Sequence, residues 1–244
     1  MCIAVCAWHC DPDWPLVIIA NRDEFHERPT HPLARWDDGS GIVAGRDLQS
    51  GGTWLGISEE AGRLALITNF REPGRFDPNA PSRGALVNDW LTGAWHGVDD
   101  RLPSLAAFNG FSLFLIDGDC GWILDNRTMD LARPMDSAGY YGLSNGAFAD
   151  PWPKVDRLVD DMRGALDHGP PDEDAMFAML AKGGPPSPAD AETAPVFINN
   201  AAYGTRCSTV VMIGADGTGS IAERRFCPDG KAVGTTRIAL RYRG

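Results

Sequence analysis

The rhythm of apolar and polar positions changes along this chain. The first third is dense in apolar runs of strand length, CIAVCAW, PLVIIAN, TWLGI and LALITN, the last two separated by the polar turn SEEAGR. Short runs bounded by turn residues predict an antiparallel meander. Between the second and third runs lies RDEFHERPTHPLARWDDGSGIVAGRDLQSGG, rich in Pro and Gly and almost without periodicity apart from GIVAG. A stretch of that length inside a domain predicts a functional or lid-like loop.

Helical spacing takes over after LITN. A second loop, REPGRFDPNAPS, leads to a helix predicted over RGALVNDWLTG, with Ser82 as N-cap and Gly93 near its end. PSLAAF predicts another short helix, and FSLFLIDGDCGWILDN a hairpin turning at Asp117, Gly118 and Asp119. YYGLSNG reads as a strand running into a turn. In PWPKVDRLVDDMRGALDHG, Val155, Leu158, Val159, Met162, Ala165 and Leu166 recur at helical spacing with Asp and Arg opposite, the clearest amphipathic helix in the chain. DEDAMFAMLAKGG predicts a further helix and PPSPADAETAP a surface loop. The chain closes in strands around RCSTVVMIG, SIAERRFC and TRIALRY. Strands, then helices, then strands again predict an α+β layered fold whose N-terminal and C-terminal strands share one sheet. No repeat or linker divides the 244 residues, so one domain spanning 1–244 is expected.

Composition narrows the partners. Hydrophobic content of 43% and charged content of 23% are ordinary for a globular protein. No apolar run approaches the roughly 18 to 20 residues of a spanning helix, so no integral membrane segment is expected. The start lacks the basic residues of a signal peptide. Six cysteines, at 2, 6, 10, 120, 207 and 227, are too sparse for a disulfide scaffold and predict reduced thiols in the cytoplasm. A net charge of −11 argues against nucleic acid or an anionic membrane as partner. Cys2, Cys6 and Cys10 are spaced like residues of one strand, about 13 Å apart at roughly 3.3 Å per residue. Sulfur-to-metal distances near 2.3 Å exclude a shared zinc, and no metal site is predicted.

The candidate chemistry begins at the second residue. If Met1 is removed, Cys2 offers a thiol beside its own α-amine, so nucleophile and base come from one residue. The same cysteine also suits the start of an ordinary strand. NRDEF, residues 21–25, follows the apolar PLVIIA where a buried strand emerges. Alternation places Asn21 and Asp23 on one face and Arg22 and Glu24 on the other, so one pair points at any given cleft. Asn69 in LALITNF and Asn145 in YYGLSNG end apolar strands. Their amides suit an oxyanion hole, and turn asparagines look the same. Arg206 opens the apolar GTRCSTVV, where it could clamp a carboxylate or orient a nucleophile.

In this order, the MCI start, NRDEF, GTWLGISEEAGRLALITNFR, YGLSN and YGTRCSTVV resemble the NRDE family, also called the Transport and Golgi organisation 2 family, with motifs spread from residue 2 to about 213. That family is similar in layout to N-terminal nucleophile hydrolases of the cholylglycine hydrolase and penicillin V acylase group. The resemblance implies a four-layer αββα sandwich of two mainly antiparallel sheets. It also implies catalytic roles for Cys2, Asn69, Asn145 and Arg206, with Asn21, Arg22, Asp23 and Glu24 near the substrate. In the second-strand motif an ungapped alignment sets Asn21 and Glu24 against the hydrolases' Arg and Asp, whereas a one-residue shift brings in Arg22 and Asp23. The activity implied is cleavage of a non-peptide amide or related acyl bond of a small amphipathic molecule, with no required cofactor. The alternative is a non-catalytic protein that binds and traffics haem, acyl-CoA or lipid in the same cleft. For haem, His9, His26, His31, His96, His168 and the cysteines are all candidate axial ligands, and their spacing selects none.

Overall fold

The computed structural model describes residues 2–129, 131–150, 152–184 and 194–243. Met1 and most of the PPSPADAETAP segment lie outside them. Among the described residues, thirteen strands form two antiparallel sheets. β1 (Cys2–Trp8) and β2 (Leu16–Phe25) pair with each other, and β2 pairs on its other side with β11 (Tyr203–Ile213). β12 (Thr218–Phe226) and β13 (Ala232–Arg241) extend this first sheet on one side, and β10 (Gly139–Leu143) closes it beside β1. The expected union of N-terminal and C-terminal strands is therefore present.

The second sheet runs in sequence order through β3 (Thr30–Arg35), β4 (Ile42–Asp47), β5 (Leu55–Ser58), β6 (Arg63–Asn69), β7 (Phe111–Asp117), β8 (Cys120–Asp125) and β9 (Ala132–Pro134). Two expectations need correction. The first four apolar runs do not make one meander, because β1 and β2 belong to one sheet and β5 and β6 to the other. The Pro/Gly-rich stretch between them is not a loop but carries β3 and β4 across. It hides its strands because β3 is an edge strand exposed on most positions, with Pro32 in an irregular pairing between His31 and Ala34.

Alternation sorts the side chains of each sheet between two cores. Ala4, Cys6, Trp8, Ile18 and Ala20 of the first sheet meet Ile57, Leu64, Leu66 and Phe114 of the second in the core between the sheets. On the outer face of the first sheet, Ile3, Val5, Val17 and Ile19 pack against α2 (Pro153–Leu166) and α3 (Glu173–Leu180). On the outer face of the second, Ala65, Leu113 and Leu115 pack against Leu86, Val87, Trp90 and Leu91 of α1 (Gly84–Leu91). PSLAAF is a short 3-10 turn, Leu102–Ala107, in the same layer. The α3 helix is capped by Asp172, whose Oδ1 accepts from Ala175 N at 2.7 Å. At α1 the expected Ser82 cap gives way to Arg83 as N-cap, with no side-chain capping bond. No helix among the described residues is long and apolar enough to cross a membrane.

Candidate active site

The pairing register builds the site. Cys2 stands opposite Arg22, Arg22 opposite Cys207, and Cys207 opposite Arg225, so one row crosses β1, β2, β11 and β12 with its side chains on one face. All four residues line a cleft of about 960 Å³ at the end of the sheets where β1 begins and β2 and β6 end. Neighbouring strands lie about 4.8 Å apart, so Cys2 and Cys207, two strands apart, are too far for a disulfide. All six cysteines are free thiols.

NRDE splits between cleft and core. β2 does not emerge at Asn21 but continues to Phe25, because β11 pairs with it as far as Phe25 opposite Tyr203. Arg22, Asp23 and Glu24 line the cleft. Asn21 does not; it shares the outer face with Ile3, where its Nδ2 donates to the carbonyls of Leu180 at 2.8 Å and Val196 at 3.0 Å and its Oδ1 accepts from Ser208 at 2.6 Å. That amide ties the sheet to the helical layer. The arginine beside the cysteine is thus Arg22, as in the shifted alignment.

Arg22 reaches Asp47 at 3.1 Å through Nη2, and Arg28 reaches the same carboxylate at 2.6 Å. Glu24 lies 3.9 Å from Arg22 and 3.8 Å from Arg28. Asp23 Oδ1 accepts from Thr205 Oγ1 at 2.7 Å. Arg206 sits in the irregular pairing between Thr205 and Cys207, and its Nη1 donates to the carbonyls of Phe25, His26 and Arg28. It lines the cleft while holding the turn after β2.

Asn69 lines the cleft at the end of β6. Asn145 sits behind it, 3% exposed, with Nδ2 donating to Asn69 O at 3.1 Å. Its Oδ1 accepts from Ser144 Oγ at 3.0 Å and from Lys154 Nζ at 3.3 Å. Ser144 Oγ also lies 3.2 Å from Cys2 O, so the β10 end pins the first residue of β1.

Lys154 was not foreseen. It is 1% exposed and lies within electrostatic reach of both Asp23 and Cys2. Its signal was its place at the head of the buried stripe Lys154, Leu158, Met162 of α2, where apolar residues belong. Burial pushes its ammonium down, against the pull of Asp23 and Cys2. Burial pushes the Asp23 carboxyl up, against Lys154, Thr205 and Arg22. Burial likewise raises the Cys2 thiol, while the Asp23 backbone N–H and Arg22 favour its thiolate. Arg83 was also missed. It lines the cleft, its Nη1 donates to Gly110 O at 2.9 Å, and it lies within electrostatic reach of Cys2 and Glu24. Of the five histidines, His31 alone is on the cleft wall.

Fold and site together define an α+β protein of two facing antiparallel sheets, with a cysteine at the start of an interior strand on the wall of a polar cleft. The chain belongs to the Transport and Golgi organisation 2 family, whose model matches residues 1–228. The cattle (Bos taurus) Transport and Golgi organization protein 2 homolog is 33% identical over 240 residues, covering 86% of each chain. The human (Homo sapiens) homolog is 31% identical over 246 residues, with 86% of each covered.

Proposed function

We propose that the chain, once Met1 is removed, is a cysteine amidohydrolase that cleaves a non-peptide amide or related acyl bond. The observation that carries this reading is the position of Cys2, opposite Arg22 and beside Asp23 on the wall of a cleft large enough for a small molecule. Its freed α-amine takes the thiol proton as Sγ attacks the substrate carbonyl, forming a C–S bond. Asn69 donates to the developing oxyanion, and Asn145 holds Asn69 in place. The C–N bond breaks, the amine leaves with the proton, and water then hydrolyses the thioester to a carboxylic acid and the free thiol. Lys154 and Asp23 fix the charge beneath the nucleophile.

The test combines intact mass with turnover on a panel of acyl amides. Loss of Met1 and hydrolysis that falls by about 10³-fold or more in Cys2→Ala are expected. Met1 retained in active protein sinks the mechanism.

A second reading, binding and trafficking without turnover, draws support from the burial that pushes the Cys2 thiol up and from the exposed apolar residues Phe25, Phe76 and Val233 that line the cleft. Haem is one ligand for it, and of the histidines and cysteines His31, Cys2 and Cys207 line the cleft. A saturable Soret shift at micromolar haem supports this reading, and its absence removes haem as the ligand.

A further inference from the structure

The ion pairs around Cys2 fall into two balanced groups. In the first, Arg22 and Arg28 share the Asp47 carboxylate at 3.1 and 2.6 Å, and Glu24 lies 3.9 and 3.8 Å from the same two guanidiniums. Two cations meet two carboxylates there. The second group is a single buried pair. Asp23 feels Lys154 more strongly than it feels Arg22, and its Oδ1 accepts from Thr205 Oγ1.

Lys154 reaches this pair from another layer. It lies in the first turn of α2, which packs on the outer face of the first sheet, and is 1% exposed. Its Nζ donates to Asn145 Oδ1 at 3.3 Å and sits 5.6 Å from the centre of the Trp152 ring. The groups that act on its charge are Asp23 and Cys2. A buried ammonium is costly unless a carboxylate answers it, and here Asp23 does.

That pairing leaves no carboxylate of either group for a third cation. The α-amine of Cys2 is such a cation when protonated. It is joined through Cα and Cβ alone to the sulfur on which Lys154 and Asp23 act, so it enters the same field. An α-amine alone with a buried carboxylate would be held as ammonium, and an ammonium accepts no proton. The surroundings do not restore the missing charge. Arg83, at the start of α1, adds another cation within reach of Cys2, and the Cys207 thiol on β11 is raised by its burial and stays neutral. The end of β10 presents the uncharged Ser144 and Asn145.

We infer that Lys154 is a positioning residue for the nucleophile: by engaging Asp23 and Asn145 from the helical layer, it takes the counter-charge that the freed α-amine would otherwise hold and leaves that amine as the base. The same contact orients the Asn145 amide, with Oδ1 toward Lys154 and Nδ2 toward Asn69 O at 3.1 Å. One side chain thus serves both the proton acceptor and the support of the oxyanion donor. This rests on the proposed hydrolase reading in giving the α-amine the part of base. Its effect on the amine requires no turnover.

The experiment uses the full chain carrying Cys2→Ala, with loss of Met1 verified by intact mass, so that the amine is present without thiol or turnover. Trace acetylation by acetic anhydride from acid to alkaline pH, read by mass spectrometry on the N-terminal peptide, gives the pH at which half the amine is free. That midpoint is expected below the ordinary α-amine range of about 7.7 to 8.0. Lys154→Gln should raise it by about one unit or more, and Lys154→Arg should keep it low. Asp23→Asn should lower it further, a direction that unfolding cannot produce, because an unfolded chain returns the ordinary value. A Lys154 that serves only packing would give none of these opposed shifts. Equal midpoints in the parent and Lys154→Gln, or a midpoint raised by Asp23→Asn in protein that still unfolds cooperatively in urea, overturns the inference. If the shifts appear and the protein with Cys2 hydrolyses no amide, the amidohydrolase reading falls and the effect of Lys154 on the amine stands. Retention of Met1 overturns both.

Discussion

At the residue scale, parity along a strand separates Asn21 from Arg22 but not Asp23, which shares the parity of Asn21 and still lines the cleft, beside the irregular pairing of β2 with β11. Asn21 and Arg22 are neighbours, yet one stitches the helical layer to the sheet and the other lines the cleft. The alternation within NRDE was readable from the sequence, but which face held the cleft was not, because that depends on β11, some 185 residues away. Lys154 illustrates the same limit. A lysine in an apolar stripe was visible, but its partners Asp23 and Asn145 come from β2 and from the end of β10. Removing one member of such a buried charge group costs about 3–5 kcal/mol. Lys154→Met should therefore unfold at markedly lower denaturant, and Asp23→Asn should cost much less in that background than in the wild type. A double-mutant cycle in urea measures the coupling; additive costs would show that Lys154 and Asp23 do not interact.

At the element scale, the long apolar strands and the amphipathic α2 were legible because their periods are undisturbed. The edge strands β3 and β9 were not, since they lack an alternating buried face, and β4 was masked by the Pro/Gly-rich stretch around it, where GIVAG was its one trace. The start of α1 shows how an element positions the cleft. A Cβ on Gly52 would come within 2.8 Å of the Gly84 carbonyl carbon and 2.9 Å of its oxygen, so backbone meets backbone where α1 begins. Gly52→Ala is expected to cost about 1–3 kcal/mol and to displace Arg83 with the helix start, lowering the thermal midpoint. Gly164 in α2 meets nothing within 4 Å, so Gly164→Ala is the contrast. It should stabilise by about 0.5–1 kcal/mol. Equal midpoints for the two variants would refute the close-approach argument.

At the scale of the whole molecule, the order of strand and helix patterns predicted the α+β class and composition the negative charge, but neither displays the seven arginines against five carboxylates on the cleft wall. Acidic residues dominate the chain while arginines from both sheets converge on one concavity, a segregation no average can display. Glu223, on the cleft wall, belongs to that pattern. Burial pushes its carboxyl up, against the Leu33 N–H that donates to it at 2.9 Å and the Arg225 guanidinium 3.6 Å away. A folded-state pKa above the unfolded one means a contribution present in acid and lost as pH rises through the folded value. Glu223→Gln should therefore raise the thermal midpoint relative to wild type at pH 8 and bring little difference at pH 4. A variant less stable at pH 8 than at pH 4 relative to wild type would reverse that sign.

The place of β1 in its sheet sets an order of events in biosynthesis. β1 lies between β10 and β2, and β2 between β1 and β11, so the strand carrying Cys2 lacks its full sheet until the ribosome has passed residue 213. At 5–20 residues per second that leaves roughly 10–40 s in which the start of the chain is accessible to an aminopeptidase. Once folded, Cys2 is 6% exposed and held by Ser144. On the proposed hydrolase reading, release of the Cys2 amine would thus compete with folding, and trimming during translation would precede the burial of Cys2.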